Sequence, residues 1–171
     1  MKRFSTKEGL PIIVREADES DGKAIKNLVN SVVSERRFIV PDRSRSDWDV
    51  IIGEIKKRNS LIIVAQINDR VVGMAHLAKG KLPKNRHVGF LGISILKDFR
   101  GNGIGSAMMD YMMEWASTQE GLEKISLTVF STNNVAINLY KKFGFITEGR
   151  MKRHFKIEGK YIDDVAMAKF L

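Results

Sequence analysis

The chain has 171 residues, room for one domain with a sizeable core and too few for two ordinary ones. Apolar residues make up 43% of it, as in soluble globular proteins, no run reaches a membrane span, and no membrane partner is expected. The absence of cysteine excludes disulfides, thiolate metal sites and a cysteine nucleophile, and suits a reducing cytoplasmic interior. The formal net charge of +9 would attract a phosphate-bearing ligand, but its spread along the chain favours a lysine-rich solubilising surface. Its basic residues are spread through the chain in short clusters, Lys56-Lys57-Arg58 being the densest, without an aromatic-and-basic platform, so no nucleic acid is expected.

Residues 1–9 are expected to be flexible, and residues 10–171 to form one domain. The apolar run from Leu10 to Val14 is too short for a signal-peptide core. Ile12, Ile13 and Val14 predict a first strand from Pro11 to Glu16. Asp18 or Ser20 then caps a helix with Ala24, Ile25, Leu28, Val29, Val32 and Val33 on one face. Ser44 or Ser46 is expected to cap a second helix, with Trp48, Ile51, Ile52 and Ile55 inward and Lys56-Lys57-Arg58 in its last turn. Leu61–Ile67 and Val71–Ala78 read as a hairpin turned at Asn68-Asp69-Arg70. A polar loop from Gly80 to Arg86 leads to a strand from His87 to Leu96. Ile104, Ala107, Met108, Tyr111, Met112 and Trp115 recur at steps of three and four, the period of a helix with one buried face. Lys124–Phe130 is a further strand, Asn134–Phe143 a short helix stopped by Gly144, and Phe145–Lys156 and Tyr161–Phe170 a closing hairpin. The layout is α/β.

Between the strand ending at Leu96 and the helix beginning near Ile104 lies Arg100-Gly101-Asn102-Gly103-Ile104-Gly105-Ser106. Its alternate glycines let backbone N–H groups converge, and the first helical turn adds donors with no partner inside the helix. Such a turn suits an anion, most simply phosphate. It lacks the Lys-Ser or Lys-Thr pair of a Walker loop and the spacing of a dinucleotide fingerprint. It fits (Arg/Gln)-x-x-Gly-x-(Gly/Ala) at Arg100, Gly103 and Gly105. About thirty residues on, Asn133, Ala136, Leu139, Tyr140, Gly144 and Phe145 fit N-x-x-A-x-x-(L/V)-Y-x-x-x-G-F. The two patterns, in this order, resemble the GCN5-related N-acetyltransferases (GNAT), and the tail from Lys124 is most like bacterial amino-acid N-acetyltransferases.

The resemblance implies a single-domain acyl-CoA N-acyltransferase fold with a mixed, mostly antiparallel sheet flanked by helices. It implies that Val88–Leu96 and Ile125–Phe130 splay apart, leaving backbone groups that the amides of a pantetheine arm can meet. Glycines in the first of these strands, Gly89 and Gly92, mark either a close backbone approach or simple packing. Acetyl-CoA is the implied co-substrate, with contacts from Ile93, Ser94, Ile95, Arg100, Gly101, Asn102, Gly103, Ile104, Gly105, Ser106, Asn133, Tyr140 and Lys142. Asn133 fits a helix N-cap equally well. The implied reaction is direct attack of a primary amine on the thioester through a tetrahedral intermediate.

Three tasks follow from that chemistry. An alkylamine of pKa near 10.4 costs about 4.6 kcal/mol to neutralise at pH 7, an α-amine near 8 only about 1.4. Candidate bases are His76, His87, Glu148 or a water held by carbonyls. A backbone N–H between Ile93 and Ile95 is the implied oxyanion donor. Tyr140 falls on the family's general-acid position, where a phenol protonated at pH 7 meets the departing thiolate; a core tyrosine at helical spacing is the plainer alternative. The histidines 76, 87 and 154 have no metal-ligand spacing, so no metal is expected.

The expected acceptor is a small, amino-acid-like amine, with a polyamine, an aminoglycoside or a protein N-terminus as alternatives. Residues 34–46 and 157–163 are the expected acceptor wall, with Arg36, Arg37 and Phe38 as candidates for a carboxylate and Asp163 and Asp164 for a cation. A non-catalytic acyl-CoA-binding module is the alternative of another class. Monomer and homodimer are both left open.

Overall fold

The computed structural model describes residues 1–6, 8–35 and 47–171. The elements are β1 (Lys2–Ser5), β2 (Pro11–Glu16), α1 (Gly22–Ser34), α2 (Trp48–Lys57), β3 (Leu61–Ile67), β4 (Arg70–Lys79), β5 (Val88–Ile95), α3 (Ile104–Ser117), β6 (Lys124–Phe130), α4 (Asn134–Lys142), β7 (Ile146–Ile157) and β8 (Lys160–Phe170). The strands form one eight-stranded sheet in the order β1-β2-β3-β4-β5-β6-β8-β7. Every neighbouring pair is antiparallel except β5 and β6. This is the mixed, mostly antiparallel sheet flanked by helices that the resemblance implied.

Strand alternation sorts the apolar residues into two cores. Leu61, Ile63 and Ala65 of β3 face α3 and α4, whereas Ile62 and Val64 face α1 and α2. The helices do the same by period: Ile25, Leu28, Val29 and Val32 of α1 are buried, as are Met108, Met109 and Met112 of α3. A strand buried on both faces reads as a continuous apolar run, which is why β3 was legible from its sequence.

The N-terminus departs from expectation. Lys2–Ser5, placed in a flexible segment, pairs with β2 from Lys2↔Val14 to Ser5↔Pro11. Thr6 closes the hairpin: its N–H donates to the Leu10 carbonyl at 2.8 Å, and its hydroxyl accepts from the Leu10 N–H at 2.9 Å. Phe4 packs on the α3–α4 core, and Lys2 pairs with Glu114 of α3. Four residues with one apolar side chain carry too little pattern to be read as a strand. At the start of α1, Asp18 accepts from the Ser20 N–H and so caps a short 3-10 turn, Glu19–Asp21, rather than α1 itself. The expected caps of α2, Ser44 and Ser46, lie outside the described residues; Asp47 occupies the N-cap position.

Candidate active site

The parallel pair is where the sheet opens. β5 and β6 pair only at Val88↔Lys124, Gly89↔Ile125 and Phe90↔Ser126. Beyond Phe90, β5 stays on β4 as far as Ile95 and β6 stays on β8 as far as Phe130. The two strands part, leaving the gap that the resemblance implied.

Backbone direction identifies which groups face it. The Val88 carbonyl accepts from Gly80 at 2.9 Å, and the Leu96 N–H donates to Val72 at 3.0 Å, so the even-numbered residues of β5 turn toward β4. Alternation turns Leu91, Ile93 and Ile95 toward the gap. Of the three residues expected to supply an oxyanion donor, Ile93 and Ile95 therefore have the right direction and Ser94 does not. Both glycines of β5 are closely packed by side chains. A Cβ on Gly89 would lie 2.8 Å from Leu77 Cδ1, and one on Gly92 would lie 2.4 Å from Cε1 of His76 on β4.

At the open end of β5, Lys97–Phe99 makes a single 3-10 turn and the glycine turn follows. Gly101 and Gly103 have φ of +82° and +86°, yet a Cβ on either would meet nothing within 4 Å. They are glycines because of backbone conformation, not crowding. Gly103 is the N-cap of α3 and brings no capping side chain. Because the Ala107 N–H is the one that reaches Gly103 O, at 3.0 Å, the donors of Ile104, Gly105 and Ser106 have no acceptor within the helix. Asn102 and Ser106 are half-buried beside them. Three helical N–H groups at an uncapped N-terminus are the kind of donor set that suits an anion.

Arg100, expected among the cofactor contacts, is held within the fold. Its guanidinium binds both carboxylate oxygens of Glu35, at 2.7 and 2.6 Å, and its Nε donates to the Ile95 carbonyl at 2.9 Å. Glu35 caps the C-terminal end of α1. Arg100 thus braces the turn against β5 and α1, and its charge is neutralised there.

The second signature joins the first through α4. A Cβ on Gly105 would lie 3.0 Å from Leu139 Cδ2, so a small residue there lets the first turn of α3 meet α4. Asn133 caps α4, its Oδ1 accepting from the Ala136 N–H at 3.2 Å; the amide NH₂ is not used in that contact. Tyr140 is 7% exposed, in the α3–α4 core, with its ring 5.8 Å from that of Phe145. Burial pushes its phenol up to about 12. Lys142 is exposed on the last turn of α4, its ammonium 5.9 Å from the Phe143 ring centroid.

The candidate bases separate by position. His87 precedes β5 at its closed end, where its carbonyl accepts from Glu123 and Lys124. From Val88 to Ser94 is about 20 Å of strand, too far for His87 to reach the open end. Glu148 stands on β7, with β6 and β8 between it and β5, and holds Lys124 at 2.6 Å. The His76 ring extends from β4 over Gly92 of β5, on the face of α1 and α2. Asp163, a candidate for holding a cation, accepts from the Arg153 N–H and Arg150 Nε, both at 2.7 Å, and these bonds hold its carboxyl low. Asp164 is buried. Arg36, Arg37 and Phe38 lie outside the described residues.

A basic cavity of about 640 Å³, lined by Lys57, Arg58, Lys79, Lys81 and Arg86 with Glu120, is at the closed end and is not part of this arrangement. Among the described residues no three metal-ligating side chains gather, and no helix is long and apolar enough to cross a membrane.

A sheet parted between two parallel strands, with an uncapped helix N-terminus at its mouth, defines a protein that seats an extended, phosphate-bearing ligand. The chain belongs to the acetyltransferase (GNAT) family, whose profile matches residues 25–145. It is an N-acetyltransferase of that class, whose members use acetyl-CoA as co-substrate. It is 31% identical over 159 residues to the L-amino acid N-acetyltransferase AaaT of Escherichia coli, covering 92% of this chain and 97% of that one. An acetyltransferase of the GNAT family from Streptococcus pneumoniae superposes with a TM-score of 0.87 at 29% identity, covering 94% and 99% of the two chains. The structure of yncA from Salmonella typhimurium with its cofactor acetyl-CoA shares the fold, with a TM-score of 0.83 at 22% identity and 94% of each chain covered.

Proposed function

We propose that this protein transfers the acetyl group of acetyl-CoA to the primary amine of a small, amino-acid-like molecule. The observation that carries the reading is the uncapped run of N–H donors at Ile104, Gly105 and Ser106 beside the gap between β5 and β6. The diphosphate of the coenzyme is a natural acceptor for those donors, with Gly101 and Gly103 shaping the turn. The Asn133 amide is suited to a further contact, and Lys142 to long-range attraction of phosphate. The coenzyme supplies an activated acetyl thioester. The Ile93 N–H, turned into the gap, is the donor for a carbonyl oxygen gaining negative charge. The amino-acid acceptor is supported by the 31% identity to AaaT over nearly its whole length.

Tyr140 is the proposed donor to the departing sulfur. Its raised pKa, about 12, keeps the proton in place at physiological pH. An ordinary thiol has a pKa of about 8.5, so complete transfer from this phenol to a thiolate is uphill by about 3.5 units, or roughly 4.8 kcal/mol. A hydrogen bond to the sulfur has no such penalty and is the role the burial favours.

Thiol release from acetyl-CoA across a panel of L-amino acids, polyamines and peptides tests the reading. Release with at least one L-amino acid is expected, and Tyr140→Phe should lower kcat far more than coenzyme affinity. Equal kcat in the two proteins would remove Tyr140 from the mechanism. Coenzyme binding without release for any amine would leave a binding module instead.

A further inference from the structure

Asp164 is 4% exposed, and among the described residues its carboxylate has neither a hydrogen-bond nor an ion-pair partner. Its neighbour Asp163 takes up Arg150 and the Arg153 N–H; no ion pair reaches Asp164, although Arg150, Lys152, Arg153 and His154 all lie on the adjacent irregular stretch of β7. The chain has 29 Lys and Arg against 20 Asp and Glu, so cations are not scarce. A carboxylate withdrawn from water without a partner is destabilising, and such groups persist where a ligand completes them. The carboxylate is also not sealed in: the fully enclosed side-chain polar atom without a partner among the described residues is Trp48 Nε1, not an oxygen of Asp164.

Register places this group beside the gap. Asp164 of β8 pairs with Phe130, the last residue of β6. Counting four residues along both strands from the Phe90↔Ser126 pair brings Phe130 level with Ser94, between the gap-facing Ile93 and Ile95. Val165 and Met167 face α3 and α4, so alternation puts Asp164 on the opposite face, that of α1 and α2. Around it are Phe130, the Phe155 ring at 4.9 Å from that of Phe130, and Met151 across the β7 ladder. A carboxylate against an aromatic wall suits an organic cation.

We propose that Asp164 selects the acceptor by holding a second cationic nitrogen, an ammonium or guanidinium apart from the amine that is acetylated. The inference rests on the acetyl-transfer reading above, not on an amino acid being the acceptor, and adds a second charge to the acceptor. Adjacent strands are about 4.8 Å apart, so β8 stands one strand beyond the edge of the gap. A cation held there sits to one side of the reacting carbon, which suits a second charge separated from the reacting nitrogen by a short carbon chain. Diamines and basic amino acids have that form.

The test compares matched acceptors: putrescine against n-butylamine, and L-lysine against L-norleucine. Wild-type kcat/KM should favour the dicationic member of each pair by about 10- to 100-fold, the worth of one charge-assisted hydrogen bond. Asp164→Asn, nearly isosteric, should abolish that preference while leaving coenzyme affinity unchanged. Its Tm should equal or exceed the wild-type value, because an unpartnered charge has gone; a carboxylate with a purely structural role would lower it. A wild-type ratio near one, or a preference that survives Asp164→Asn, overturns the proposal, and the wild-type ratio decides alone if the variant does not fold. If no amine releases thiol, acetyl transfer itself fails as the function; putrescine should then still raise the Tm of the wild type and not of Asp164→Asn, and an equal effect on both overturns the role of Asp164.

Discussion

Replacing Gly103 with alanine separates backbone conformation from crowding as the reason for the glycine turn. With φ at +86° and nothing within 4 Å of a new Cβ, the substitution introduces no contact. What remains is the left-handed conformation, unfavourable for an L-residue by about 1–2 kcal/mol. The chain has two ways to respond. It can keep the turn, losing that stability while still presenting the N–H groups of Ile104, Gly105 and Ser106. It can instead relax φ to a negative value, recovering the stability but turning those donors away. Urea denaturation and calorimetric titration with coenzyme A together detect either response: a fall of about 1–2 kcal/mol, or a fall of about 5- to 30-fold in affinity, or a division between them. Gly105→Ala is the control. It lies in the first turn of α3 without a positive φ, so alanine gains up to about 1 kcal/mol of helix propensity. Against that gain, Leu139 Cδ2 at 3.0 Å has to shift by a few tenths of an ångström. Stability should stay within about 1 kcal/mol of wild type. Should Gly103→Ala change neither quantity, or Gly105→Ala prove the more damaging to stability, the conformational argument for the turn would be wrong.

Glu35→Gln should destabilise by about 1–2 kcal/mol in urea, since the pair it forms with Arg100 is partly shielded, with side-chain exposures of 15% and 29%. Because Glu35 neutralises that guanidinium, removing both charges together in Glu35→Gln/Arg100→Gln should leave the salt dependence of coenzyme binding as in wild type; a shallower slope would place the cation on the phosphates instead. Tyr140 predicts an alkaline limb. Its phenol is at about 12 in the fold and near 10 unfolded, so its contribution is intact below pH 10 and lost as pH rises toward 12. The loss amounts to about 2.7 kcal/mol, two units at 1.36 each. Stability curves from pH 9 to 11 should be flatter in Tyr140→Phe, and identical slopes would refute the assignment of that burial.

Local patterns were enough for most of the fold. Residues 61–67 carry a run of apolar side chains that can only be a doubly buried strand or a helix segment, and the turn residues on either side settle which. The period of Ile104, Ala107, Met108 and Met112 makes α3 legible, and two signatures in the right order were enough for the family, because a phosphate-binding turn depends on contiguous residues. The pairings that sequence could not show belong to residues whose partners are far along the chain. Arg100 reads only as a cation beside the glycine turn until α1 brings Glu35, 65 residues away, onto its guanidinium. Glu148 reads as a candidate base until β6 brings Lys124 to its carboxylate. Asp163 and Asp164 are alike as a dipeptide. The pleat turns them to opposite faces, and β7 satisfies one carboxylate while the other has no partner among the described residues. Chain-local propensity thus determined the elements and the anion turn, while the charges acquired their roles only from tertiary neighbours, because electrostatic pairing depends on distance in space and not on separation in sequence.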